Sequence, residues 1–333
     1  MGSLMAFAVM KKHNEFLYSF VIAASAAVAV LESPPNCPAQ SEPVATNAPA
    51  WRGSAEGSPD RPHTGSLINR IAPPPKHVVD TFIGAGMTEI RTHSLTDVER
   101  ARVEKALASL PELHRKILEE HLHNLGFLDG IPGEGTGLTS PSDQPGQFDI
   151  TLRASIIDES LTIFLTTKDR RLFVPDQNLT SVTVVGTGTD ALTYVLLHES
   201  THVVDSVMAI TTKTIGPFEA GIWVNRKDFV PSLQRSLAIK TPFRGQAPIP
   251  MRKAIAVYDA LVQTPFVSLY AAASPSEDFA ELVAWHEVLR QHHGDLIIEV
   301  KDMQGRVLRS YEPLSNPKVT QRFPSVDRLL APG

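Results

Sequence analysis

Leu192-Thr-Tyr-Val-Leu-Leu-His198-Glu199-Ser-Thr-His202-Val-Val-Asp205 is the stretch from which the rest of the chain is read. Nothing in it breaks a helix, and Leu192, Val195, Leu196, Val203 and Val204 give it apolar surface to bury. On a helix, residues four apart lie about 40° apart in azimuth and about one turn apart in height. His198 and His202 therefore present two imidazoles to one point, and Glu199 sits about 100° round, within reach of a water held there. Two neutral imidazoles on one face suit a zinc ion, and the adjoining carboxylate suits a general base. The competing reading is a buried amphipathic helix with two satisfied histidines. A catalytic zinc also needs a third protein ligand, with its fourth position left to water.

Composition narrows the donors. Cys37 is the single cysteine in 333 residues, so neither an intrachain disulfide nor a cysteine-rich metal site can form. Any metal must be held by histidine and carboxylate. The net charge of −5 offers no electrostatic reason to expect nucleic acid. Met10-Lys-Lys followed by the apolar run Phe16 to Val30 has the form of a secretory signal, with Ala27-Val-Ala29 as a cleavage site and Met10 as the natural start. The run is too short for a membrane span, so none is expected once the signal is removed. Residues 31–75 are rich in Pro, Ser, Ala and Gly and read as a disordered linker. These features predict a secreted or periplasmic protein, with surface tethering left open.

Thr96-Asp-Val-Glu99 reads as a capping box, with Val98, Val103, Leu107 and Leu110 behind it at helical spacing. Pro111 opens a second helix whose apolar face is Leu113, Ile117, Leu118, Leu122 and Leu125. His114, His121 and His123 are expected to be exposed polar residues. Residues 126–146 contain Gly130-Ile-Pro-Gly133 but lack the Gly-Lys-Ser/Thr ending of a phosphate loop, and they read as a long loop. From Phe148 to Val185 the β-branched runs predict strands, 161–166 among them. Thr189 is the expected N-cap of the histidine helix. Further on, the pattern predicts a helix over 251–262, another from Ser274 to about Gln291, a hairpin over 296–311 and a short helix near 326–330.

Glu277-Asp-Phe-Ala-Glu281 supplies the best candidates for the third ligand. Glu277 and Glu281 share a helical face. One can bind the metal while the other holds a ligating histidine by its second nitrogen. Ser274-Pro-Ser-Glu277 also fits a capping box, which would give Glu277 a structural job instead. His286 is the next choice as ligand, and His292 and His293 lie further along.

The pairing of His198-Glu-Ser-Thr-His-Val-Val-Asp205 with Tyr270 and Glu277-Asp-Phe-Ala-Glu281 resembles the catalytic domain of the gluzincin metallopeptidases, specifically the lethal-factor type of secreted bacterial proteins. That pattern is His-Glu-x-x-His-x-x-Asp, then Glu-Phe-Phe-Ala-Glu, with a tyrosine seven residues before the first of those glutamates. Asp278 departs from it by replacing an aromatic. The resemblance covers roughly residues 180–292. It implies His198, His202 and Glu277 as ligands of one Zn2+ per chain, Glu199 as general base and Tyr270 as hydrogen-bond donor to the oxyanion. It further implies Glu281 behind a histidine and Asp205 as a structural or outer partner. The implied fold is an α+β zincin-like domain with a small mixed or antiparallel sheet; that domain is expected over 76–333, with a helical part at 76–145 read from its own apolar pattern and a catalytic part at 146–333. The implied activity is a zinc-dependent endopeptidase acting on protein or peptide, which one strand of 150–185 would bind by β-addition. The rival readings are a secreted or wall-associated binding protein with a non-catalytic zinc site, and a zinc amidase acting on a non-peptide substrate.

Overall fold

A computed structural model of the chain describes residues 66–331, apart from 134, 177–179 and 212–214, and it is α+β. The expected signal, its cleavage site and Cys37 lie outside the described residues. Residues 66–75, expected as linker, belong to the folded part. Leu67–Arg70 forms a 3-10 turn with Leu67 and Ile68 in the core, and Arg70 donates to the Leu118 carbonyl at 2.7 Å.

Helix α1 (Lys76–Gly84), strand β1 (Thr88–Thr92), α2 (Asp97–Ala108) and α3 (Glu112–His121) follow. The Thr96 capping box closes with both bonds, from Glu99 N to Thr96 Oγ1 and from Thr96 N to Glu99 Oε2. Helix α3 stops at His121, and the chain runs directly into β2 (Leu122–Ile131). Leu122 and Leu125 therefore reach the core from a strand. The loop expected over 126–146 is instead the rest of β2, a short connection and β3 (Gly137–Pro141); β4 (Phe148–Arg153) follows. These strands form a mixed sheet in the order β1-β2-β4-β3, in which β2 and β4 run parallel. Strand β2 is covered on both faces, which removes the alternation that marks a half-exposed strand. Leu128 and Leu138 pack with Val78, Phe82 and Met87 on one side, whereas Phe127, Ile150 and Leu152 join the main core on the other. The stretch 76–145, expected as helical, holds α1, α2 and α3 and also supplies three of the four strands of this sheet.

Residues 161–166 are helical, contrary to the strand expected there: α4 spans Leu161–Arg170. Leu161, Phe164 and Leu165 form its buried face, and Ser160 caps it by accepting from Ile163 N. Its β-branched Thr162 and Thr166 use their hydroxyls on the backbone of Gly186 and Val184. Tertiary bonds here override a local preference worth only tenths of a kcal/mol per residue. Strands β5 (Phe173–Val174) and β6 (Ser181–Gly186) precede α5 (Ala191–Met208). Asp190 is the N-cap of α5 in place of Thr189, accepting from Thr193 N at 2.7 Å. Beyond it come β7 (Ile249–Pro250), α6 (Ala254–Leu261), α7 (Pro275–His292), β8 (Leu296–Lys301) and β9 (Val307–Tyr311), then α8 (Pro317–Thr320) and α9 (Phe323–Leu330). The hairpin expected over 296–311 is β8 and β9, which extend an antiparallel sheet in the order β6-β8-β9.

Helix α5 is the axis of the core: every residue from Ala191 to Asp205 is buried. It packs against α7, α3 and β3. Gly188 and Gly294 set its crossing with α7. Gly188 has φ +85°, and a Cβ there would fall 2.5 Å from Gly294 Cα. The start of α5 thus abuts the end of α7, the helices run antiparallel, and the histidines come level with the glutamates.

Candidate metal centre

His198, His202 and Glu277 converge and are all buried, with their ligand atoms within 4.8 Å of one another, so that this group could hold a metal ion. His198 Nε2 lies 3.1 Å from Glu277 Oε2 and 3.2 Å from His202 Nε2, and His202 Nε2 lies 3.5 Å from Glu277 Oε2. Helical spacing places the two imidazoles, as the sequence implied. Glu277 reaches them because Ser274 opens α7 one turn earlier. The Ser274 hydroxyl accepts from Glu277 N at 3.2 Å, and the Glu277 carboxylate remains for the histidines. Only the Ser274 half of the expected capping box forms, through the Glu277 backbone, and the side chain that would have closed the box faces the histidines instead. His286 does not join the group. It lies nine residues beyond Glu277, about 180° round the helix, and faces Asp327 at 3.1 Å and Glu287 at 3.2 Å.

The charges around the group favour a cation. Burial opposes a charged His198, yet Glu277 and Glu281 raise its pKa to about 10. Burial likewise opposes ionisation of Glu277, but the two histidines hold it well below the usual carboxylate range. Glu281 stands behind His198. Its Oε1 is 3.3 Å from His198 Nδ1, close enough for an ion pair though off the hydrogen-bond direction. Tyr194 donates to the same oxygen at 2.7 Å, Lys168 at 3.3 Å, and Ser268 donates to Oε2 at 2.6 Å. Against the cost of burial, Lys168 and His198 bring the Glu281 pKa down to about 2.

Glu199 is buried beside the group without belonging to it, and Thr139 Oγ1 donates to its Oε2 at 2.7 Å. Tyr270 stacks on His198 with ring centroids 5.9 Å apart, meets Phe243 edge-on, and carries Lys168 Nζ 3.6 Å from its ring centroid. Burial, and then the charges of Glu277, Glu199 and Glu281, push its hydroxyl pKa well above the ordinary value. The two oxygens of Asp205 accept from Thr211 N and Thr211 Oγ1 at 2.7 and 2.6 Å, which ties down the chain leaving α5. Asp278, the departure from the aromatic pattern, is fully buried and bound by both nitrogens of Arg322 and by Trp223 Nε1. The C-terminal segment thereby neutralises it.

Thr139, Lys168, Ser268 and Tyr194 surround the group and were not anticipated. Only Tyr194 carried a local signal, one turn before His198 on the same face; the others arrive from segments distant in sequence. His114, expected at the surface, is buried against α5, with Nε2 3.0 Å from Thr201 Oγ1. No family model matches this chain, and neither a curated protein nor a solved structure does.

Proposed function

We propose that this chain is a secreted, zinc-dependent endopeptidase with a zincin-like domain, akin to the gluzincin metallopeptidases of the lethal-factor type. One observation carries the reading. Two imidazoles and one carboxylate converge in a buried site, and a second carboxylate, Glu199, stands beside them without being a ligand. The donor set is the His2Glu of catalytic zinc sites, and four tetrahedral ligands at ~2.05 Å from a metal would lie ~3.3 Å apart. The three observed donor separations of 3.1, 3.2 and 3.5 Å bracket that value.

Zinc, when bound by His198, His202 and Glu277, supplies Lewis acidity that lowers the pKa of water and polarises a carbonyl. Glu199 takes the proton of the attacking water and returns it to the leaving amine. Tyr270 donates to the oxyanion. Glu281 steadies the ring of His198, the task of an outer-shell carboxylate. The strand suited to peptide addition is β3 rather than one of 150–185. In that range β4 is interior to its sheet, β5 is two residues paired with β7, and the outer edge of β6 is bonded by Thr162 and Thr166 of α4, while β3 lies next to α5 with no strand partner on its other side among the described residues.

The test is zinc content together with casein turnover for the wild type, Glu277→Ala and Glu199→Gln. The reading requires about one zinc and turnover in the wild type, metal loss in Glu277→Ala, and metal without turnover in Glu199→Gln. A wild type that holds zinc and cleaves no peptide overturns the peptidase assignment, and an amide-bearing wall component becomes the next substrate to assay.

A further inference from the structure

We propose that strand β3 positions Glu199, with Thr139 holding its carboxylate and Gly137 leaving the space it occupies. This rests on the reading of Glu199 as the general base. Alternate residues of a strand face the same side. Leu138 points away into the smaller apolar cluster with Val78 and Phe82, so Gly137 and Thr139 both face α5.

The contacts agree with that alternation. Thr139 Oγ1 is 2.7 Å from Glu199 Oε2 and 3.0 Å from the Glu199 carbonyl oxygen. A hydroxyl has one proton to donate. The shorter, charge-assisted bond to the carboxylate is the stronger of the two. A Cβ on residue 137 would fall 2.5 Å from Glu199 Oε1, 2.9 Å from Cδ and 3.0 Å from Cγ. Gly137 is not required by its backbone, since its φ is not in the positive range. Its missing side chain is what makes the room. If a methyl were placed there, the carboxylate would be the part able to give way, and it is the part the reaction needs in place. One oxygen of Glu199 is thus held by a hydroxyl and the other is admitted by a bare backbone, two residues apart on one strand. The strand whose edge is open for peptide addition also sets where the base stands.

The experiment compares wild type, Thr139→Val, Thr139→Ser and Gly137→Ala, each loaded with zinc, by metal content, by kcat and KM on a quenched fluorescent peptide, and by crystal structure. Valine keeps the shape of threonine and removes only the hydroxyl, and serine restores it. All variants are expected to retain zinc and KM. The kcat should fall ~10-fold or more in Thr139→Val and ~100-fold in Gly137→Ala, because a misplacement of ~1 Å carries a cost of that order. Thr139→Ser should recover to within ~3-fold of wild type. The Gly137→Ala crystal structure should show the Glu199 carboxylate displaced with both histidines unmoved. If kcat in Thr139→Val and Gly137→Ala stays within ~3-fold of wild type, the inference is overturned. If the wild type binds zinc but cleaves nothing, the peptidase reading fails by itself, and the structures still decide. A displaced carboxylate in Gly137→Ala upholds the positioning role, and an unmoved one rejects it. Should Gly137→Ala fail to fold, the valine and serine pair decides.

Discussion

His114 and His198 are two buried histidines on neighbouring helices, and their proton affinities move in opposite directions. His114 pairs with the Thr201 hydroxyl, and burial outweighs the charge of Glu287 and drives its pKa down to about 4. His198 is equally buried, but Glu277 and Glu281 outweigh the burial and raise it to about 10. The neighbours Glu277 and Asp278 make the same contrast among acids. Asp278 has a permanent cation in Arg322, whereas among the described residues the positive charge facing Glu277 comes from the two imidazoles. Burial alone makes an ordinary core residue. A buried acid that lacks a fixed cation, facing imidazoles that can give up their protons, makes a place for a metal.

The sharpest way to break the contrast is Glu277→Ala. It should weaken zinc binding by well over the ~10–100-fold that changing an outer partner costs, as read by competition with a chelator. Arg322→Met should destabilise the fold by ~3–5 kcal/mol in urea unfolding, because it leaves the Asp278 carboxylate buried without its cation. Replacing both Asp278 and Arg322 with apolar residues should recover most of that loss, and failure to recover would mean the pair does more than satisfy itself.

The histidines predict opposite pH slopes in metal-free protein. His114 has a folded pKa of about 4, below its ordinary 6.5, so the unfolded chain binds the extra proton between those values. Stability should fall as pH drops from 6.5 towards 4, by about 3 kcal/mol for this group, and His114→Leu should flatten that limb in urea melts. His198 is raised instead. Its contribution is fully present below 6.5 and is lost as pH rises towards about 10, a limb that His198→Leu should remove. Glu281→Gln is the mildest change. It should lower zinc affinity ~10–100-fold while leaving the three ligands in place, and an affinity equal to that of wild type would dismiss Glu281 as a support for His198.

Much of the candidate site was legible from spacing alone. His198, Glu199 and His202 follow from one helical turn; spacing put Glu277 and Glu281 on one face, and the resemblance chose Glu277 as the third ligand. Ser274 was legible as a cap, and only the structure showed that capping leaves the Glu277 side chain available. The errors have physical causes. The run 161–166 is rich in β-branched residues, but its threonines find backbone partners in β6 and its apolar residues find one buried face, so it forms α4. Residues 126–146 read as loop because their glycines and prolines hid two strands whose apolar residues serve two different clusters. His114 read as a surface residue because a polar residue in an amphipathic helix gives no sign of what packs over it.

Local covalent spacing settled that His198 and His202 meet one point with Glu199 beside them, because helical geometry is the same wherever the helix lies, and it offered Glu277 and Glu281 as a second pair on one face. Which element closes over those donors depended on contacts between segments far apart in the chain. The antiparallel crossing at Gly188 and Gly294, the Arg322 clamp on Asp278, and the approach of Thr139 and Gly137 to Glu199 are all of that kind. Their free energies come from burial and close packing, and no periodicity within a single segment encodes them.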